Sequence, residues 1–208
     1  MILEARTTDF IEQLSSAAPT PGGGGASAAV GAFAAALGLM VANLTVGKKK
    51  YADVEEEIIR VRERLEELRN QLIMQVDEDA KAFEPLAEAY RLPRQTEEEQ
   101  NKKARIMEHA LCVASNVPLE IMETILEAMK QIQILGEKGS RLAVSDAGAG
   151  ILFAEAALES ASFNVFINTK MMQNRECADE LNGRACAMIE EGKAVRKTVY
   201  EKVLKDIR

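Results

Sequence analysis

Asp79 is the side chain in this sequence with the clearest capacity for acid–base chemistry. It lies on the apolar stripe of a long predicted helix, where the spacing alternates between four and three residues. The apolar members of this stripe are Val54, Ile58, Val61, Leu65, Leu68, Leu72, Val76, Phe83, Leu86 and Tyr90. Burial of a carboxyl group raises its pKa toward the range useful for proton transfer. We therefore predict that Asp79 is a general acid or base, although a helix rotation at Pro85 would instead expose it to water.

A proline and glycine segment supplies the candidate binding loop. Two prolines and a threonine precede four consecutive glycines, and an alanine-rich helix is predicted from Ala26 to Ala42. Glycines at a helix N-terminus allow a ligand to approach the free backbone N–H groups. The alternative is that they only permit a tight helix entry. The candidate substrate contacts in this segment are Pro21, Gly22, Gly23 and Gly24.

Polar and basic residues follow the alanine-rich helix, which is apolar on every side and is therefore expected to be buried. These candidate binding residues are Asn43, Lys48, Lys49, Lys50 and Tyr51. A local basic patch attracts an anionic substrate even in an acidic protein. The structural alternative is that the lysines form a solvated helix end, where cations interact favourably with the helix dipole.

A later helix, predicted from Asp146 to about Met171, carries four further polar candidates. Ser145 is a suitable N-cap, and Asp146 in the first turn complements the helix dipole, so we expect an ionised acceptor there. Asn164 and Asn168 lie one turn apart on a largely apolar helix. Their amides can bind a heterocycle, or they can bind each other and a neighbouring helix.

The elements that position these residues are all predicted to be helices. The chain has 208 residues, with 47% hydrophobic and only 4% aromatic content, and no alternating strand pattern occurs. The sequence therefore predicts a single all-α domain over residues 1–208, an up-and-down-like bundle of long helices. The other helices are predicted over about Leu3 to Ser16, from a capping box at Thr96, from Pro118, and over about Glu176 to Ile207.

Composition also argues against several classes of protein. The net charge of −7 disfavours a nucleic-acid binder, and the alanine-rich run is too weakly apolar for a membrane span. Three cysteines without CxxC spacing fit a reducing compartment, and the segment from Met1 to Phe10 lacks the apolar core of a signal peptide. We therefore expect a cytoplasmic protein. Its only histidine, His109, has no ligand cluster, so no metal is expected.

Several stretches together resemble the formiminotetrahydrofolate cyclodeaminase domain and its bacterial methenyltetrahydrofolate cyclohydrolase relatives. They are residues 19–24, 40–51, 79–83, 117–120, 144–148, 164–165 and 167–168. The resemblance implies a helical domain that forms a homodimer, with folate sites near the glycine loop and the subunit interface. It also implies a free-standing domain with a separate formiminotransferase and no cofactor beyond the folate substrate. Gly139-Ser140-Arg141 departs from the expected pattern, in which a Gly-Asn pair precedes the Val-Ser-Asp motif.

The activity implied first is conversion of 5-formiminotetrahydrofolate to 5,10-methenyltetrahydrofolate and ammonia. Asp79 would protonate the leaving nitrogen, and Asp146 would hold the pterin amino groups or stabilise the cation. The three lysines would bind the glutamate carboxylates, while Tyr51 and Asn43 would orient the ring. One alternative is methenyltetrahydrofolate cyclohydrolase, which forms 10-formyltetrahydrofolate, and a second is a non-catalytic helical dimerisation module.

Overall fold

Six α-helices make up most of residues 2–4 and 6–208, the part of the chain described by the computed structural model. They are α1 Thr7–Leu14, α2 Gly23–Asn43, α3 Glu55–Arg91, α4 Glu97–Lys138, α5 Val144–Thr169 and α6 Arg175–Ile207. Short 3-10 turns occupy Ile2–Glu4, Lys49–Tyr51 and Arg141–Ala143, and these described ranges contain no β-strand. The prediction of an all-α fold is confirmed. Met1 and Ala5 lie outside the described residues. The helix predicted over about Leu3 to Ser16 is therefore described except at Ala5, and α1 covers Thr7–Leu14 of it.

The five long helices run alternately up and down. Gly24 and Gly38 of α2 lie against Asp79 and Leu65 of α3, which makes these two helices antiparallel. Contacts between residues show that α3 with α4, α4 with α5 and α5 with α6 are antiparallel as well, and α4 is also in contact with α2 and α6. α2 also packs antiparallel to α5, since Gly23 lies against Asn164 and Gly150 against Leu37, so the N-terminus of α2 and the C-terminal part of α5 lie at the same end of the bundle.

Small residues let α2 approach α3 and α4 closely. A Cβ atom added at Gly38 would lie 3.0 Å from Leu65 and 3.1 Å from Ile132, so a larger residue would push the helices apart. The outward side of α2 is different, because Phe33 is 53% exposed and Met40 is 48% exposed. The prediction that α2 is buried on all sides is therefore wrong.

α4 is one continuous helix through Pro118, where the sequence predicted the start of a new helix. Proline lacks an N–H group, so the carbonyl of Ala114 loses its partner within the helix. The side chain of Asn168 in α5 replaces that partner, since its Nδ2 donates to Ala114 O at 2.8 Å. A contact between helices thus compensates for a residue that locally favours a break.

The start of α5 also differs from the prediction. Ser145 is not the N-cap, because the helix already begins at Val144 and is preceded by Ala143 without a side-chain cap. The residues just before α5, Arg141–Ala143, form a 3-10 turn. The capping box at Thr96 is confirmed, as are the long helices from Glu55 and Arg175.

Two segments, Gly23–Asn43 and Arg141–Thr169, are long and apolar enough to meet the length and composition criteria for a membrane span. In the first, 67% of the most apolar window is buried inside the bundle, compared with 44% in the second. The core of a helical bundle accounts for most of the first segment. The second owes its lower burial to an exposed apolar face.

Candidate functional site

The side chain of Asp79, a residue of α3, lies against the glycines at the N-terminus of α2. Its Oδ2 accepts a hydrogen bond of 2.8 Å from the N–H of Gly25, in the first turn of the helix. A Cβ atom added at Gly24 would lie 2.6 Å from the Asp79 carboxyl carbon, closer than real Cβ contacts. Gly24 is therefore required for this approach. One of the N–H groups that we expected to face a ligand is instead occupied by Asp79.

Two opposing effects act on the Asp79 carboxyl group. Burial raises the pKa of Asp79 above its ordinary value, and the hydrogen bond from Gly25 lowers it by a smaller amount. Asp79 is the only titratable side chain among the described residues that line the adjacent cavity. The structure thus agrees with the predicted environment for proton transfer.

The cavity beside Asp79 has a volume of about 160 Å³ and lies between the ends of α2, α3, α4 and α5. Its lining residues are Pro19, Thr20, Gly22, Gly23, Gly24, Asp79, Ala82, Phe83, Ala114, Pro118, Asn164, Ile167 and Asn168. Phe83 and Ile167 form apolar walls that sequence analysis had not assigned to the site. Pro21 does not line the cavity, since it is buried behind Gly25.

The two predicted asparagines both reach the cavity, with different roles. Asn168 is buried, and its Nδ2 supports the Ala114 carbonyl in α4. Asn164 is half-buried and makes only a long 3.4 Å bond to Ser160 O within its own helix. Of the two side chains, Asn164 is therefore the freer to bind a ligand.

The lysines and Tyr51 form a second group with Ser140 and Arg141, here called the lysine–tyrosine cluster (Lys48, Lys50, Tyr51, Ser140 and Arg141). Tyr51 OH accepts a 3.1 Å bond from the Arg141 backbone N–H, and this bond is the main cause of the lowered pKa of Tyr51. Lys50 Nζ lies 5.5 Å from the centroid of the Tyr51 ring, and Lys48 Nζ lies 3.5 Å from Ser140 Oγ. The cluster presents cationic groups beside an aromatic ring.

The two groups lie at opposite ends of α2. This helix has 21 residues, which corresponds to about 30 Å at 1.5 Å per residue. Asn43 ends α2 next to the lysine–tyrosine cluster, and Ser145 and Asp146 begin α5 at the same end. Ser145 and Asn43 are exposed, and Asp146 is half-buried. The fold of the chain therefore brings together the glycines, Asp79 and the asparagines, but not the other predicted site residues.

Sequence analysis also missed Gln75, which is only 2% exposed. The buried residues of α3 near the cavity are Leu68, Leu72, Gln75, Val76, Ala82 and Leu86, and the half-buried Asp79 lies on the same side of the helix. Leu68, Leu72, Val76, Asp79 and Leu86 belong to the predicted stripe, whereas Gln75 and Ala82 do not. This side of the helix therefore carries a second polar side chain besides Asp79. A search for polar residues one turn from Asp79 would have found it.

The comparisons with known proteins agree over nearly the whole chain. The family model described as formiminotransferase-cyclodeaminase matches residues 6–187. A methenyltetrahydrofolate cyclohydrolase of Methylorubrum extorquens is 41% identical over 93% of this chain and 93% of its own length. The formimidoyltransferase-cyclodeaminase of Mus musculus is 30% identical over 92% of this chain, which spans only 36% of the mouse protein.

The fold is shared as well. The crystal structure of formiminotetrahydrofolate cyclodeaminase from Thermotoga maritima matches with a TM-score of 0.83 and 30% identity, and the match covers 99% of this chain and 97% of that one. Both comparisons bear out the resemblance found in the sequence motifs. The chain therefore belongs to the formiminotransferase-cyclodeaminase family of folate one-carbon enzymes.

Proposed function

We propose that this protein is a methenyltetrahydrofolate cyclohydrolase, which converts 5,10-methenyltetrahydrofolate to 10-formyltetrahydrofolate. The observation that carries the proposal is the Asp79 carboxyl group, a partly desolvated acid–base group beside a cavity at a glycine-rich helix N-terminus. The name of the Methylorubrum extorquens relative, at 41% identity, favours hydrolysis over the deamination that the sequence motifs first suggested.

The Asp79 carboxylate suits each proton transfer in this reaction. Water adds to the cationic methenyl carbon, and one of its protons passes to Asp79. The bond from that carbon to N5 then breaks as N5 receives the proton from Asp79, while the hydroxyl proton leaves to solvent. The formyl group remains on N10, so the reaction consumes one water and releases one proton.

Cyclodeamination is the second candidate, and the name of the Thermotoga maritima structure favours it. In that reaction N10 attacks the formimino carbon, and ammonia leaves after protonation. Asp79 would act first as an acid, whereas in hydrolysis it acts first as a base. Hydrolysis should therefore speed up as the pH rises through the pKa of Asp79, and deamination should slow down.

Near-ultraviolet absorbance of the methenyl chromophore distinguishes the two reactions. Purified protein is mixed separately with 5,10-methenyltetrahydrofolate and with 5-formiminotetrahydrofolate. Accelerated loss of the chromophore from the first substrate supports the cyclohydrolase. Appearance of the chromophore with ammonia release from the second, without accelerated hydrolysis of the first, refutes that proposal and supports the cyclodeaminase. A folded protein inactive with both is a non-catalytic helical module.

We also propose that the complete site forms in a homodimer. A cavity of about 160 Å³ is smaller than the roughly 300–1,000 Å³ usual for a small-molecule site. An apolar stripe runs along the outer faces of α2 and α5, where the exposed side chains are Phe33, Met40, Phe153, Phe163 and Ile167. Soluble proteins seldom leave such a stripe open to water, so a second copy of the chain is the proposed cover.

A twofold axis across α2 and α5 would bring the cavity of one subunit next to the lysine–tyrosine cluster of its partner. The lysines could then bind the glutamate carboxylates of a folate whose reacting carbon lies near Asp79. Asp146, Ser145 and Asn43 would approach the ring from the partner side. This arrangement explains how residues about 30 Å apart in one chain can serve one substrate.

Light scattering tests the dimer, and mixed subunits test the shared site. At a folate concentration well below the wild-type KM, Asp79→Asn and Lys50→Ala subunits are each expected to form poorly active dimers. After unfolding and refolding together, about a quarter of wild-type activity should return, since half of randomly formed dimers are mixed and each contains one intact site. A dimer that regains no activity on mixing would refute the shared site, and a monomer in light scattering would refute the dimer.

A further inference from the structure

Gln75 carries an unusual buried acceptor. Its side chain is 2% exposed, and its Oε1 is the only buried side-chain nitrogen or oxygen atom in the described part of the chain without a hydrogen-bond partner. Buried polar atoms are nearly always paired, so an unpaired one needs a specific explanation. Gln75 lies one turn before Asp79 on the core-facing side of α3.

The hydrogen-bond network fixes the orientation of the amide. Thr124 has one hydroxyl proton, which it donates to Glu120 O at 2.9 Å. Its oxygen can then only accept, so Gln75 must present Nε2, which donates to Thr124 Oγ1 at 3.1 Å. Oε1 consequently points away from Thr124 and requires a donor elsewhere.

The surroundings of Asp79 offer few charged groups that could act on it. α2 contributes backbone N–H groups there, and α5 contributes the uncharged amides of Asn164 and Asn168. The facing residues of α4 are Ala114, Pro118 and Thr124, none of which titrates. On α3 itself Asp77 accepts from Ile2 N, and Glu78 and Lys81 are exposed.

Protonated Asp79 is the donor that fits these observations. Residues four apart on a helix are neighbours on one face, with Cβ atoms about 5–6 Å apart. Asp79 Oδ2 already accepts from Gly25, so the proton of the neutral carboxyl group belongs on Oδ1. An O–H group there needs an acceptor, and Gln75 Oε1, which lies one turn away on the same side of α3, lacks a donor.

We propose that Gln75 is a positioning residue for Asp79, whose protonated carboxyl group donates a hydrogen bond to Gln75 Oε1. Only the acid form can make this bond, so Gln75 stabilises Asp79 in the state that later protonates N5. Thr124 holds the acceptor in place through Nε2. The inference rests on the proposed proton-transfer role of Asp79.

The direct test is the pH titration of the Asp79 carboxyl group, followed by its ¹³C resonance and assigned through its loss in Asp79→Asn. Gln75→Met keeps the size of the side chain and removes the acceptor. We expect the midpoint to move to lower pH in Gln75→Met and to stay unchanged in Gln71→Met, an exposed control one turn earlier. An unchanged or higher midpoint in Gln75→Met would overturn the inference.

A second variant covers the case in which Gln75→Met does not fold. Gln75→Glu places another carboxyl group beside Asp79 and should raise the midpoint of Asp79, since two neighbouring carboxylates do not both ionise readily. An unmoved midpoint in this variant would contradict the proximity. The rising limb of the pH–rate profile should follow the same shifts.

The titration requires no substrate, so the inference and the proposed function can fail separately. If the wild-type protein is inactive with both folates and the midpoint of Asp79 is still lowered in Gln75→Met, the contact between the two side chains is supported and the enzyme assignment is refuted. Full cyclohydrolase activity with an unmoved midpoint would refute the positioning role alone.

Discussion

Replacing Asp79 by Asn separates the two consequences of a buried carboxyl group, catalysis and instability. The amide has nearly the same size, and its oxygen can still accept the 2.8 Å hydrogen bond from Gly25. It cannot exchange a proton with the substrate. A general acid or base typically contributes a factor of about 10²–10⁴, so we expect a loss of turnover of that order in a folded protein that still binds folate.

The effect on stability depends on pH with a defined sign. Burial raises the pKa of Asp79 in the folded protein above its value in the unfolded chain, so ionisation is harder in the folded state. This contribution favours folding below the unfolded pKa, and it is lost as the pH rises through the folded pKa. Each unit of difference between the folded and unfolded pKa corresponds to about 1.4 kcal/mol in the free energy of unfolding. Asn does not titrate and makes no such contribution. The free energy of unfolding of Asp79→Asn should therefore rise relative to wild type as the pH increases.

Urea unfolding of both proteins from about pH 4 to pH 8 measures this difference, and methenyl absorbance measures turnover in the same samples. A constant difference in the free energy of unfolding across that range would show that Asp79 is not desolvated in the folded state. Turnover close to that of wild type would refute its role in proton transfer.

Three further substitutions test the site. Gly24→Ala should lower the free energy of unfolding by about 1–3 kcal/mol through overpacking and should reduce turnover. Gly183→Ala, with no atom within 4 Å of the new Cβ, should raise the free energy of unfolding by about 0.5–1 kcal/mol. Thermal unfolding measures both variants, and equal effects would contradict the close contact between Gly24 and the Asp79 carboxyl group. Asn168→Ala should lower the free energy of unfolding, measured with urea, by about 1–3 kcal/mol, because the Ala114 carbonyl loses its donor. The loss should be smaller in a chain that also carries Pro118→Ala, since that change restores the backbone N–H group. Full additivity of the two changes would refute the compensation. Lys50→Ala should raise the KM for a folate with glutamate carboxylates and leave kcat nearly unchanged, and an unaltered KM in initial-rate assays would indicate a structural lysine.

The helical fold could be predicted largely from local information. Apolar residues spaced by three and four predicted the long helix through Asp79, and the capping box at Thr96 marks the start of α4. The helix break expected at Pro118 was wrong, because a side chain from another helix supports the carbonyl that proline leaves free. Local propensity cannot include a partner that is distant in sequence.

The sequence by itself determined the family, the all-α fold and the residue types needed for folate chemistry, because motifs and helical periodicity are local properties of the chain. Only the tertiary structure decided which of these residues meet. It placed Asp79 on the glycines through a contact spanning 54 residues and left the lysines at the far end of α2. It also turned Gln75 into the core, because the rotation of a helix is set by the neighbours that pack against it.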